Sequence, residues 1–505
     1  MFNLRGVKNF VGDLPSSISN LTGGQKQTTE TVGFVQYDEL DEPDIPPPDG
    51  YQAFSDGPPT DPQKFQGGYQ LEESGKTPGM LPMEEEKGGG GEAELMSGKN
   101  QIGPWQAGWN VTNAIQGMFL VSLPYACLHG GWWALFALVG VAYICYYTGL
   151  ILVECLYEDG VRIRNSYVQI AEACWGPKIG GRLVHIAQLI ELLMTDILYV
   201  VLCGDLLEGS FPGATMDKTG WMMFSTILLL SCAFLTNLRA VSRLSFFNTI
   251  SHILINAVIL LYCLSRAGRW NFGKITWTMD IKIFPTVLGI VVFSYTSQIF
   301  LPTLEGNMVD RAQFRPMLKW SHIAAAAVKA LFALVGFLTF GDYTQEEVTN
   351  NLPTQDFKSA INLILVVKAL LSYPLPYYAA VELLDTAFFR GRPRTPFPSC
   401  FGDDGTLKEW GVAARVCLVL FTLFMAISIP HFALLMGLIG NFTGCMLSFI
   451  WPCIFHIMLK KHELPKYLLI WDYVVIGMGL LFGIVGIIYS SAALSRAMSA
   501  PTEYY

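Results

Sequence analysis

The stretch that decides the fold is residues 108–126, GWNVTNAIQGMFLVSLPYA. It is apolar enough to enter a membrane, but two residues interrupt it. Gly117 is a weak helix former, and Pro124 lacks an N–H and clashes with the carbonyl four residues earlier. In lipid, backbone groups freed by a break are tolerated only where protein or a water-filled cavity satisfies them. We therefore expect a discontinuous helix here, beside a cavity.

A second stretch, residues 291–302 (VVFSYTSQIFLP), has the same character. Hydroxyls and an amide interrupt an apolar run, and both stretches contain Leu-Pro. Two interrupted spans in corresponding halves of a chain indicate the substrate site of a transporter. The alternative is that each is an ordinary Gly or Pro kink in a membrane helix.

The composition excludes a soluble globular protein. The chain has 505 residues, of which 52% are apolar and 15% charged, whereas charged residues make up about a quarter of soluble domains. Its net charge of −8 belongs to the first 100 residues, which hold 17 acids and 7 bases, against 24 acids and 26 bases in the rest. The 11 cysteines show no metal-ligand spacing, so we expect no metal. We also expect no resident cofactor and no nucleic acid partner.

Three regions are predicted. Residues 1–100 are acidic and rich in Pro and Gly, which indicates a disordered tail. Without a signal peptide this tail should be cytosolic, and residues 38–42 (DELDE) are either an adaptor-binding motif or a solvated spacer. Residues 101–492 form the transmembrane transporter domain, and residues 493–505 a short luminal tail.

Apolar runs long enough to cross a lipid bilayer follow one another, about eleven in all. We place them at 104–128, 131–157, 181–208, 219–237, 243–265, 283–302, 318–340, 357–384, 411–428, 431–458 and 467–492. Basic residues concentrate in the connections on the side of the tail, which makes that side cytosolic. The predicted fold is an all-α polytopic membrane protein with a 5+5 inverted repeat and discontinuous helices 1 and 6.

Three ionisable residues at membrane depth are candidates for proton coupling: Glu191, Lys329 and Lys368. Glu191 shares a polar helical face with other polar residues of span 3, and Asp196 lies at the edge of that face. The alternative is that Glu191 is permanently paired with one of the two lysines. His431 is either a sensor of an acidic far side or an ordinary interfacial residue.

The residues at the two breaks suit a small zwitterion. Free N–H groups after Gly117 favour a carboxylate, and aromatic faces with free carbonyls favour an ammonium. The predicted substrate-binding residues are Gln116, Gly117, Met118, Phe119, Phe293, Ser294, Tyr295 and Thr296.

Four stretches carry a resemblance to a known family: residues 108–126, 290–302, 368–376 and 429–438. The chain resembles the amino acid/auxin permease family over nearly all of residues 103–492, and most closely its members that load GABA and glycine into synaptic vesicles. The resemblance implies the amino acid-polyamine-cation transporter fold and uptake driven by a proton gradient. It leaves open proton antiport or chloride symport. Asp196 departs from the family's pattern.

Other functions fit the sequence less well. A proton-coupled permease for neutral amino acids, in lysosomes or at the plasma membrane, is the closest alternative. A channel or receptor is less compatible, since the far-side loops are too short for a ligand-binding domain. No Walker loop, metal cluster or nucleophile motif indicates an enzyme.

Overall fold

The computed structural model describes residues 103–104, 107–108, 111, 115, 117–234, 238–389, 397–401 and 407–499. The acidic tail with its possible adaptor motif, and Gln116, lie outside the described residues. The helices are α1 (Leu123–Glu154), α2 (Tyr167–Trp175), α3 (Gly180–Ser210), α4 (Lys218–Leu229), α5 (Leu238–Ser265), α6 (Phe284–Phe293), α7 (Leu301–Gly306), α8 (Phe314–Phe340), α9 (Gln355–Ser372), α10 (Pro374–Leu384), α11 (Glu409–Ser428), α12 (Phe432–Ile439), α13 (Trp451–Lys460) and α14 (Lys466–Ser499).

Short elements complete the chain. A two-residue hairpin pairs β1 (Tyr157–Glu158) with β2 (Val161–Arg162) in antiparallel register. Turns of 3₁₀ helix lie at Met118–Ser122, Leu230–Phe234, Ala267–Arg269, Phe272–Lys274, Arg311–Gln313, Gly341–Tyr343 and Val348–Asn351, and π-helical turns at Asp385–Phe389, Gly440–Gly444 and Met446–Ile450.

Among the described residues, 7 helical stretches are long and apolar enough to cross a bilayer. Shorter apolar helices at Lys218–Phe234, Ser251–Ser265 and Phe284–Phe293 add three spans. The first long stretch contains two spans, because α1 kinks at Gly131 (φ 54°) where the Trp132 N–H donates to the Thr276 carbonyl. Parts of all eleven predicted spans therefore lie among the described residues.

The spans alternate in direction, which gives the molecule two ends. We call the end with the β1–β2 hairpin the hairpin end, and the end with residues 341–352 the acidic-loop end. The last helix, α14, is peripheral. Its residues Leu481, Ile484 and Ile488 are 58%, 60% and 60% exposed. Such an apolar surface belongs against lipid.

Spans in corresponding positions of the two halves pack against each other: α1 against α6 and α8, α3 against α9, and α4 against α11. In each broken span, the α-helix beyond the break carries Leu-Pro in its first turn, at Pro124 in α1 and at Pro302 in α7. The predicted inverted-repeat fold class is confirmed.

The structure corrects one detail of the sequence interpretation. Pro124 does not break its helix, because it lies in the first turn of α1, where an N–H has no helical partner to lose. Among the described residues of span 1, the break lies at Gly117. Gly117 has φ −43° and ψ −177°, outside the helical region.

Glycines hold the first half of broken span 6 against α12 and the π-helical turn after it. A Cβ on Gly440 would overlap the carbonyl oxygen of Gly289, and a Cβ on Gly289 would overlap that of Gly437. Small residues at such a contact allow the two backbones to approach closely in a membrane. This contact fixes the position of α6 and therefore of the break that follows it.

We expect Gly440→Ala to destabilise the protein by about 1–3 kcal/mol, since an extra methyl has no space without a backbone shift. Gly477→Ala is the matched control, because no atom lies within 4 Å of a Cβ built there. The thermal unfolding midpoint of detergent-purified protein measures both variants. Equal midpoints for the two would contradict this account of the α6 contact.

Candidate functional site

The break in span 6 separates α6, which ends at Phe293, from α7, which begins at Leu301. Two hydroxyls bond to carbonyls at the end of α6: Ser294 Oγ donates to the Val291 oxygen at 2.7 Å, and Thr296 Oγ1 to the Phe293 oxygen at 2.9 Å. These bonds satisfy carbonyls that have lost their helical donors. The discontinuity predicted from the sequence is present.

Gln298 anchors the broken segment to its surroundings. Its Nε2 donates to Thr148 Oγ1 of α1 at 3.3 Å, and its Oε1 accepts from Ser448 Oγ at 2.7 Å. The side chain is 1% exposed. A fully buried amide with partners on two other spans holds the break in one conformation.

Lys329 of α8 also lies at this break and is 1% exposed. Its ammonium donates to the carbonyl and, at 3.1 Å, to the hydroxyl of Ser294, and lies 3.6 Å from the centroid of the Tyr295 ring. The end of α6 carries partial negative charge, and an aromatic face also attracts a cation. The lysine therefore fills a site that is built for an ammonium group.

The break in span 1 presents the opposite polarity. The helix restarts at Met118 after Gly117, and no side chain among the described residues caps its first turn. The free N–H groups of such a start carry partial positive charge. Only the backbone of Met118 is described. The two breaks thus offer a positive and a negative helix end.

An aromatic cluster lies between the two breaks. The Phe119 ring centroid is 5.0 Å from that of Phe293, 5.6 Å from that of Tyr199 and 6.1 Å from that of Phe432. Spans 1, 3, 6 and 10 each contribute one ring. The cluster brings the predicted residues Phe119 and Phe293 together and adds Tyr199 and Phe432.

Glu191 of α3 is 6% exposed and faces the break in span 6. Its carboxyl is in hydrogen-bond contact with the hydroxyls of Thr296 and Thr443. Within the described part of the chain, Oε2 of Glu191 has no hydrogen-bond partner, and neither polar atom of the Gln188 side chain, one turn earlier, has one. A buried carboxyl with a free oxygen can accept a proton or a donor from a substrate.

The hypothesis that Glu191 is permanently paired with a lysine is wrong. Lys329 binds Ser294, and Lys368 of α9 contacts the His252 ring of α5. The ion pairs found among the described residues do not include Glu191. Lys368 thus shares its surroundings with a second basic side chain.

Asp196 lies elsewhere on α3. It is 0% exposed, and neither carboxyl oxygen has a hydrogen-bond partner among the described residues. Its electrostatic neighbours include Tyr373 and Cys232. The structure therefore keeps Asp196 away from Glu191, as the helical spacing predicts.

The hairpin end is closed by an ion-pair cluster. Glu305 of α7 is 1% exposed, with its carboxyl oxygens 3.5 Å from Arg162 Nε and 3.8 Å from Arg311 Nε. The Tyr157 hydroxyl donates to the same carboxyl, and Arg162 Nη2 donates to the Pro302 carbonyl at 2.8 Å. Two positively charged arginines thus flank one buried carboxylate.

Sequence reasoning missed three residues of this region. Thr443 and Phe432 lie in an apolar run of span 10 in which no periodicity distinguishes them. His252 is a different case, because it is an ionisable residue inside predicted span 5 and the depth criterion applied to Glu191 would have found it.

Comparisons with known proteins identify the family. The family model for "Transmembrane amino acid transporter protein" matches residues 100–492. The vesicular GABA transporter of Caenorhabditis elegans is 55% identical over 399 residues, covering 79% of this chain and 81% of that protein. The vesicular inhibitory amino acid transporter of Xenopus tropicalis is 50% identical over 414 residues, covering 80% of each, and that of Rattus norvegicus 46% identical over 493 residues, covering 94% and 92%. The chain therefore belongs to the transmembrane amino acid transporter family.

Proposed function

We propose that this protein loads GABA and glycine into synaptic vesicles, driven by the proton gradient across the vesicle membrane. The names of the relatives support the substrates and the vesicle. The observation that carries the mechanism is the free carboxyl oxygen of Glu191, buried beside the break in span 6. No resident cofactor is part of the proposal, which covers both proton antiport and chloride symport.

The substrate carboxylate binds at the start of the helix after Gly117, with Gln116, Gly117 and Met118 as its proposed contacts. The Phe119 ring, packed on Phe293, faces the ammonium. Backbone N–H groups at a helix start suit an anion of this size. The substrate ammonium lies toward the span 6 break, which Phe293, Ser294, Tyr295 and Thr296 line. There it meets the aromatic faces and the carbonyls at the end of α6.

Lys329 competes with the substrate for that end of α6. Its ammonium and a substrate ammonium require the same carbonyl of Ser294, so binding of substrate displaces the lysine. The displaced cation then interacts with Glu191 or gives up its proton. In this scheme, substrate binding at Ser294 and proton movement at Glu191 are linked through Lys329, while Lys368 with His252 forms a second basic site.

The proposed orientation has a cytosolic N-terminal tail, available to adaptor proteins, and a luminal C-terminus. In this orientation the hairpin end faces the cytosol and the acidic-loop end faces the vesicle lumen. The basic residues of the hairpin-end loops support it, because such loops favour the cytosolic side. The surrounding partner is the lipid bilayer, which the exposed apolar faces of the outer helices fit.

The alternative is a proton-coupled permease for neutral amino acids in lysosomes or the plasma membrane. Its substrates are also zwitterions, so the two breaks suit both proposed functions. Competition separates them: excess GABA or glycine should suppress uptake of labelled GABA, while alanine and glutamine should not. Stronger competition by alanine or glutamine would favour the permease.

We expect Glu191→Gln to abolish proton-driven GABA accumulation in reconstituted vesicles, because the amide keeps the size of the side chain but cannot bind and release a proton. Uptake of labelled GABA is measured under an imposed pH gradient, with voltage clamped by ionophores. Asp196→Asn is the matched control, a buried acid of the same helix away from the breaks, and should retain the pH dependence. Wild-type pH dependence in Glu191→Gln would exclude Glu191 as the proton carrier.

We expect Phe119→Ala to raise the half-saturating GABA concentration roughly two- to thirtyfold, as loss of a cation–aromatic contact of about 0.5–2 kcal/mol implies. Phe136→Ala is the control, because its ring is 56% exposed on the lipid-facing surface. Uptake as a function of GABA concentration gives both constants. An unchanged constant for Phe119→Ala would place the substrate outside the aromatic cluster.

A further inference from the structure

The acidic-loop end is closed by a cluster of charged side chains from four segments of the chain. Lys218, at the start of α4, forms an ion pair with Asp205 of α3. Its Nζ also donates to the Pro430 carbonyl, just before α12, at 2.6 Å. The same lysine therefore connects the end of α3, the start of α4 and the entry to α12.

Glu346 extends this cluster to broken span 1. Its Oε2 accepts the Ala433 N–H of α12 at 2.8 Å, and its Oε1 lies 4.0 Å from His431 Nδ1. Its backbone carbonyl accepts the Ser122 hydroxyl at 2.7 Å, and Ser122 belongs to the half of span 1 beyond Gly117. The loop at 344–347 thus ties the second half of span 1 to span 10.

The next residue, Glu347, is the most informative member of the cluster. Its side chain is 4% exposed, and its carboxyl is in hydrogen-bond contact with the carboxyl of Asp205. Its Oε1 is buried and has no hydrogen-bond donor among the described residues. Two carboxyls in direct contact cannot both be ionised, because a hydrogen bond between them requires a proton.

The charge balance of the cluster leads to the same conclusion. The titratable groups that face the Asp205–Glu347 pair are Tyr125 of α1, Glu208 of α3, Asp217 and Lys218 at the start of α4, Glu346 of the loop and His431 before α12. Lys218 is the permanent cation within this set. At the hairpin end, by contrast, two arginines compensate the single carboxylate of Glu305. Acidic groups are therefore in excess at the acidic-loop end, and basic groups at the hairpin end.

We propose that the Asp205–Glu347 pair is a proton-binding site, and that the bound proton holds the acidic-loop end closed. The proton lies between one oxygen of each carboxyl and is released to water when the loop moves away. The inference concerns how this end opens, so it does not depend on which amino acid the chain carries.

The pKa shifts of groups outside the membrane spans support this assignment. Burial raises the pKa of Glu346, and burial with the negative charges of Asp205 and Glu346 raises that of Glu347 well above its usual range. Burial and the charge of Lys218 lower the pKa of His431, which disfavours a second positive charge beside this lysine. A pKa raised in the closed form means that acid favours closure, and that closure is lost as the pH rises through the raised pKa.

Hydrogen–deuterium exchange of the full chain in lipid nanodiscs tests the proposal. Peptides covering 118–130 and 341–352 should be protected at acidic pH. Between about pH 5 and pH 8 their protection should fall by up to about tenfold per pH unit for one proton bound only by the closed form. The hairpin-end peptide covering 155–165, whose carboxylate is balanced by arginines, should show no such dependence.

Glu347→Gln mimics the protonated carboxyl, so the two acidic-loop-end peptides should stay protected across the whole pH range. Asp342→Asn is the matched control in the same loop, because its side chain is 74% exposed, and should keep the wild-type profile. Wild-type pH dependence in Glu347→Gln would overturn the proposal. So would a pH-independent profile in the wild-type chain, an outcome that needs no variant to fold. Because exchange is measured without substrate, failure here is distinct from failure of the proposed transport function.

Discussion

The structure depends on one constraint: a backbone group freed inside a membrane must find another partner. The hydrogen bonds at the span 6 break satisfy this constraint. The carbonyls at the end of α6 receive hydrogen bonds from Ser294, Thr296 and Lys329, and Gln298 secures the segment between spans 2 and 10. The break in span 1 differs, because its helix start has no side-chain cap among the described residues. The free backbone groups at this helix start are N–H groups, which attract an anion.

The distribution of buried charge follows from the same constraint. At the hairpin end, two arginines flank the buried carboxylate of Glu305, so closure there needs no proton on that carboxylate. At mid-membrane, Glu191 and Lys329 are kept apart, each on polar groups of the span 6 break. At the acidic-loop end the carboxylates outnumber the lysine. A buried carboxyl oxygen without a partner can be neutralised by a proton from solution, and such oxygens lie at mid-membrane on Glu191 and at the acidic-loop end on Glu347.

Much of this arrangement could be predicted from the sequence, because the signals are local. Gly117 and the hydroxyls of residues 294–297 marked the breaks, and a helical period of 3.6 residues put Glu191 and Asp196 on different sides of α3. Pro124 was misread because its effect depends on whether it lies inside a helix or in its first turn, and that depends on where the helix starts. Lys329 and Lys368 were found by depth, but their partners Ser294 and His252 lie on other spans. Such pairings, like that of Asp205 with Glu347, are set by tertiary packing and leave no periodic trace in the chain.

The position of Lys329 has a consequence for a carrier that must also return without its substrate. An empty binding site would leave the Ser294 carbonyl and the end of α6 without a donor in a dry environment, which is costly. The lysine supplies that donor from within the protein, so the Ser294 carbonyl has a partner without substrate. A substrate ammonium then gains only the difference between its own contacts and those of the lysine. Under the proposed function, substrate binding at this site is an exchange of cations on one carbonyl, in which Glu191 or a departing proton accommodates the charge of the lysine.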